Sequence, residues 1–100
     1  YHQLGEWQQA EKAIAQSINL LQGLDKLETR GKLLLAQALN ARGLQQLAKG
    51  ETEAALETWK EAEAAYARAE DDSGKLGSRM NQALALQALG QYRRAIAVLE

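Results

Sequence analysis

A chain of 100 residues with 46% apolar side chains and a net charge of −1 suits one small domain or a few units of a repeat array, and it lacks the basic footprint that nucleic acid requires. Nineteen Ala and seventeen Leu stand beside three Ile, one Val, no Phe and no Pro, so the residues that fill a pleated sheet are scarce and the predicted fold class is all-α. Without Cys and with a single His, His2, there is no disulfide, no thiolate chemistry, and no His-based triad or metal site.

No nucleophile–base pair can be drawn from this inventory, so no enzyme activity, no cofactor and no metal are expected. No apolar run approaches the length of a membrane span, which predicts a soluble protein with neither a membrane nor a nucleic-acid partner. The absence of an initiator Met and the stop at Leu99-Glu100, inside a repeating pattern, read as a piece of a longer chain whose compartment stays open.

Gly supplies the punctuation. Tyr1 to Leu4 reads as the tail of a helix that reverses at Gly5. Residues 6–22 then carry an apolar stripe at Trp7, Ala10, Ile14, Ile18 and Leu21. Asp25 with Glu28 resembles a capping box opening a helix over 26–49, whose stripe is Leu35, Leu39, Leu44 and Leu47. Gly50 stands where a left-handed residue ends that helix and turns the chain. In 51–69 the stripe is Ala55, Trp59, Ala62, Tyr66 and Ala69, with Glu53, Glu57, Lys60, Glu61 and Arg68 on the other side. Asp71-Asp72-Ser73-Gly74 is a turn with N-cap candidates. A helix from about Ser73 carries Leu76, Met80, Leu84 and Leu86 up to the turn at Gly90, and Tyr92, Ala95, Ile96 and Leu99 follow.

Three stretches share one pattern. Leu4-Gly5-Glu6-Trp7-Gln8-Gln9-Ala10, Lys49-Gly50-Glu51-Thr52-Glu53-Ala54-Ala55 and Leu89-Gly90-Gln91-Tyr92-Arg93-Arg94-Ala95 lie 45 and then 40 residues apart, which marks a repeat array. The longer first spacing predicts either a longer helix or an extra turn around Gly23 to Gly31. Gly43 and, 40 residues on, Ala83 place small residues inside paired helices, as close backbone approach demands.

Gly43, Gly50, Ala55, Trp59 and Ala62, followed by Ala83, Gly90, Tyr92 and Ala95, resemble the tetratricopeptide repeat, and Gly5, Trp7 and Ala10 match the preceding turn. Asp71-Asp72-Ser73-Gly74 with Asn81 is similar to its longer subtype of about 40 residues. The runs from Leu4 to Gln22 and from Thr52 to Glu100 resemble the repeat region of cyanobacterial proteins that join such repeats to a caspase-like (CHAT) domain. The resemblance implies antiparallel helical hairpins stacked as a right-handed superhelix over 1–100: 1–22 the end of one hairpin, 26–70 a second, 73–100 a third. It implies a protein-interaction module that takes a peptide or helix in a groove lined by first helices. Transferred groove positions are Gln37, Asn40, Leu44, Leu47 and Ala48, then Met80, Asn81, Leu84, Gln87 and Ala88. Asn40 and Asn81 would hold a peptide backbone through amide donor–acceptor pairs. Leu44, Met80 and Leu84 would take apolar side chains. The same Leu could instead pack against a further repeat. Arg42 and Arg79 lie at other helical phases, which disfavours a carboxylate clamp.

Two other readings stay open: a self-assembling helical scaffold, and a regulatory segment of a larger caspase-like peptidase. Apolar surface is expected at 1–4 and 91–100, and with it homo-oligomers through the repeat ends. Glu53, Glu57 and Glu61 read as a solvated face and not as a metal cluster. Asp71 and Asp72 read as a cap and turn. Trp7, Trp59 and Tyr66 read as core, and Arg93 and Arg94 as solvent-facing.

Overall fold

The computed structural model describes the backbone of residues 2–100 and the side chains of Glu6 and residues 8–100. Four α-helices follow one another: α1 (His2–Ala48), α2 (Thr52–Arg68), α3 (Asp72–Ala88) and α4 (Tyr92–Leu99). Among the described residues there is no strand.

The three breaks share one construction. After α1, Gly50 takes φ 82°, its N–H donates to Leu47 O at 2.9 Å, and Glu51 N–H reaches back to Gln46 O at 2.9 Å. This pair of bonds satisfies the last carbonyls of the helix and reverses the chain, and it requires a left-handed residue at the turn. Gly90, at φ 77°, repeats it with bonds to Gln87 O at 3.0 Å and from Gln91 N–H to Leu86 O at 2.8 Å. The break between α2 and α3 puts Glu70 in the same conformation, φ 56°, with Asp71 N–H on Tyr66 O at 3.0 Å. A Glu there carries no composition signal. Asp71 then caps α3, its Oδ1 accepting from Gly74 N–H at 3.0 Å, as the turn motif predicts.

The N-terminal half departs from expectation. The reversal expected at Gly5 does not occur: α1 passes through residue 5 and runs unbroken to Ala48, 47 residues in all. Residues 2–22 are therefore continuous with the helix expected over 26–49 and are not set off from it as the end of a separate hairpin. Asp25 and Glu28 lie inside the helix and not at its start, and Glu28 pairs instead with Lys32 at 3.9 Å. A helix of this length extends about 70 Å, which accounts for the 79 Å long axis of the molecule. Its radius of gyration of 21.9 Å far exceeds the ~13 Å of a compact 100-residue domain.

Only the last third of α1 is packed. Successive helices run antiparallel, as the cross-contacts show. Thr58 Oγ1 donates to Gln46 Oε1 at 2.6 Å and Trp59 Nε1 to Asn40 O at 3.2 Å. Gln82 Nε2 donates to Trp59 O at 3.3 Å and to Glu63 Oε1 at 2.8 Å, while Arg79 Nε meets Glu63 Oε2 at 3.3 Å. One core cluster joins Ala55, Leu56 and Trp59 to Ala85 and Leu86, with Leu47, Leu89, Ala95 and Val98 packed on it. A second joins Ala36 to Ala62, Ala65 and Tyr66, with Leu33 and Leu39 alongside. Ala55, Trp59, Ala62 and Tyr66 of the stripe foreseen in 51–69 are thus buried, and Ala69 is half-buried. The stripe foreseen in 6–22 is not: Ala10, Ile14, Ile18 and Leu21 are exposed. The side chains of His2 and Trp7, and the apolar surface expected at 1–4, lie outside the described residues.

Candidate protein-binding face

Five of the eight groove positions read from the sequence lie around a hydrogen bond that links α1 to α3. Asn81 Nδ2 donates to Asn40 Oδ1 at 3.0 Å, and both residues are half-buried. This bond links α1 to α3, while each of the two packs chiefly on α2. Gln37 and Leu44 flank Asn40 on the exposed side of α1, and Leu84 flanks Asn81 on α3. One mutual bond leaves each amide with spare capacity: an Asn side chain offers about four hydrogen-bonding positions in all.

The other three positions are used differently. Leu47 turns into the core with Ala55, Leu56 and Trp59. Met80 and Gln87 line a cleft of about 410 Å³ between α3 and α4, which Leu84 also borders. Ala83, Tyr92, Ala95, Ile96 and Leu99 complete its walls, which are almost wholly apolar. Sequence reading placed Tyr92, Ala95, Ile96 and Leu99 in a stripe but not in a site. Their signal was present in the 40-residue register, which sets them opposite Thr52, Ala55, Leu56 and Trp59.

Charge plays little part in either surface. Glu53, Glu57 and Glu61 are exposed, and Lys60 pairs with Glu57 at 3.1 Å. Arg94 donates to Gln91 on the exposed side of α4. Arg79 is held by Glu63 between α2 and α3. Among the described residues, no group of three or more His, Asp and Glu is placed to hold a metal ion. Burial, and secondarily the neighbouring Asp71 carboxylate, raise the Tyr66 phenol above its ordinary value of 10.0. Tyr66 belongs to the core and not to the binding face.

No protein-family model, curated protein or solved structure matches this chain. No described helix is long and apolar enough to cross a membrane.

Proposed function

We propose that the chain is a protein-interaction module whose α1–α3 face binds a peptide or helix of another protein. The supporting observation is the Asn40–Asn81 amide pair at 3.0 Å, flanked by exposed Leu44 and Leu84. Paired amides with spare donors and acceptors can hold a backbone peptide group, and the two leucines offer apolar contact on either side. The short antiparallel helices, the left-handed turns at Gly50 and Gly90, and the small residues at 43, 55 and 83 are the features that support a tetratricopeptide-like stack, and the caspase-associated context is proposed on the resemblance alone.

A second reading, a self-assembling helical scaffold, draws on the exposed Ile14, Ile18, Leu20, Leu21, Leu24 and Leu27 of α1. A contiguous apolar patch of this kind marks a surface that another chain covers.

Selection of peptides from a display library against the intact chain tests the first reading. Peptides that bind should lose affinity by about tenfold or more on Leu44→Glu, and on the Asn40→Ala/Asn81→Ala double variant, with helicity retained. Peptides indifferent to both variants would remove the face from the site. A light-scattering mass of several copies that Ile18→Glu returns to one copy would favour the scaffold.

A further inference from the structure

We infer that the first half of α1 pairs with the same segment of a second copy of this chain, the two helices antiparallel and in contact over residues 10–27. The inference rests on the scaffold reading and deepens it, by naming the partner, the direction and the register.

One seam of α1 has the required spacing. Ala10, Ala13, Ser17, Leu20, Leu24 and Leu27 follow in steps of 3, 4, 3, 4 and 3, the period of a helix that lies along another helix. All six are exposed, with Leu20, Leu24 and Leu27 at 70%, 62% and 68%. The next two positions of the seam, Gly31 and Leu34, stay exposed where α2 packs on Leu33, Ala36 and Leu39, so α2 lies on a different side of α1. A second helix laid along the seam therefore meets no obstacle from α2.

The order of residues along the seam selects the occupant. Three small residues come first and three leucines last. When two copies run antiparallel with Ser17 of one level with Leu20 of the other, Ala13 meets Leu24 and Ala10 meets Leu27, each contact occurring twice. Large against small at every layer lets the two backbones lie evenly along their length. A parallel pair in register would set Leu on Leu over one half and small on small over the other.

Charge is ordered about the same centre. Residues 13–24 contain no charged side chain, as suits the middle of an interface, and the pairs that border this stretch are Glu11-Lys12 and Asp25-Lys26. The antiparallel register brings Glu11 level with Lys26 of the second copy and Lys12 level with its Asp25, opposite signs at both levels. The parallel register sets like with like. These charges stand outside the seam, so they add little energy and act on direction. An unrelated polypeptide imposes no symmetry on the face it covers. A two-fold dimer does, because residue i must meet j while j meets i, and this face is matched to itself by inversion about its own midpoint. The contact is about 27 Å long. That is small for a specific interface, so the dimer should form at about 10–100 µM.

Sedimentation equilibrium of the intact 100-residue chain, from well below that range to well above it, is the test. The mass should rise from one copy to two and no further. Leu24→Glu and Ala13→Leu should each weaken the dimer by about tenfold or more. Combining Ala13→Leu with Leu24→Ala exchanges large and small within one layer and should restore it. Position 24 is exposed in the single chain, so Leu24→Glu should leave the fluorescence of the buried Trp59 unchanged. Ile18 stands well round the helix from the seam, and Ile18→Glu should leave the dimer intact. The chain has no Cys, so a mixture of Ala13→Cys and Leu24→Cys chains should form the 13–24 disulfide in preference to 13–13 or 24–24. A one-copy mass throughout would overturn the pairing and the scaffold reading together. Self-association that Ile18→Glu abolishes and Leu24→Glu does not would keep the scaffold and overturn this seam. Disulfides that join like positions would overturn the antiparallel register. A two-copy mass lost with Ile96→Glu, and not with Leu24→Glu, would overturn the pairing by moving the contact to the α3–α4 cleft.

Discussion

The Trp59 indole occupies the space that a β-carbon at position 43 would take. Gly43 leaves the helix surface bare, Trp59 lies on it fully buried, and the indole N–H donates to the Asn40 carbonyl one turn away at 3.2 Å. This joint sets how closely α2 approaches α1, and α3 then packs on α2.

Gly43→Ala is expected to destabilise the protein although Ala is the better helix former. Replacing a mid-helix Gly ordinarily gains about 0.5–1 kcal/mol, but overpacking a rigid buried ring costs about 1–3 kcal/mol. Gly31→Ala meets nothing within 4 Å and should show the gain alone. Thermal unfolding of the two variants, read side by side, should move in opposite directions.

The turn between α2 and α3 contains a correctable strain. Glu70 holds a left-handed conformation that Gly50 and Gly90 supply without penalty at the other two turns. A side chain there costs about 1–2 kcal/mol. Glu70→Gly should raise stability by about 0.5–1 kcal/mol once the greater freedom of unfolded Gly is offset. Gly90→Ala should lower it by about 1 kcal/mol. Urea midpoints would report both, and a loss of stability in Glu70→Gly would refute the account of the turn.

Ser78 is buried between helices and its Oγ has no hydrogen-bond partner. An unsatisfied buried hydroxyl is unfavourable by about 1–3 kcal/mol, so Ser78→Ala should leave stability unchanged or raise it. Gln82→Ala should do the reverse. That amide bonds Trp59 O and Glu63 Oε1 across the α2–α3 joint, and its removal takes both bonds away and leaves a gap in a buried place.

Alkaline stability should depend on Tyr66. Burial, aided by Asp71, raises its phenol above 10.0, so the fold binds the proton more tightly than the unfolded chain does. The sign follows: this contribution is fully present below pH 10 and is lost as pH rises through the higher folded value. Tyr66→Phe should show a shallower loss of stability above pH 10 than the parent chain in chemical unfolding. Identical slopes would count against the coupling.

Hydrogen exchange should divide α1. Residues 8–32 are exposed around the whole helix, whereas Ala36 and Gly43 are buried. Amides before residue 32 should exchange at local helix–coil rates and those of 36–47 near the global limit. Uniform protection along α1 would mean that another chain covers its first half.

The helical class, the left-handed turns at Gly50 and Gly90, the Asp71 cap, and the burial of Ala55, Trp59, Ala62 and Tyr66 were all legible in residue type and spacing. These are local matters of propensity, φ and periodicity, and they leave a mark in residue type. The fate of Gly5 and of the Ile14–Ile18–Leu21 stripe was decided by tertiary structure. A turn leaves a helix stripe to be buried by a partner; here α2 covers α1 from Leu33 onward and, among the described residues, nothing covers 8–32, where the chain stays helical through Gly23 and Gly31, as it does at Gly5. Tertiary packing also parted the groove residues. Leu47 went to the core, Asn40 and Asn81 were joined across 41 positions, and Met80, Leu84 and Gln87 were turned toward α4. A stripe states that a face is apolar; which neighbour covers it depends on the crossing of helices distant in the chain.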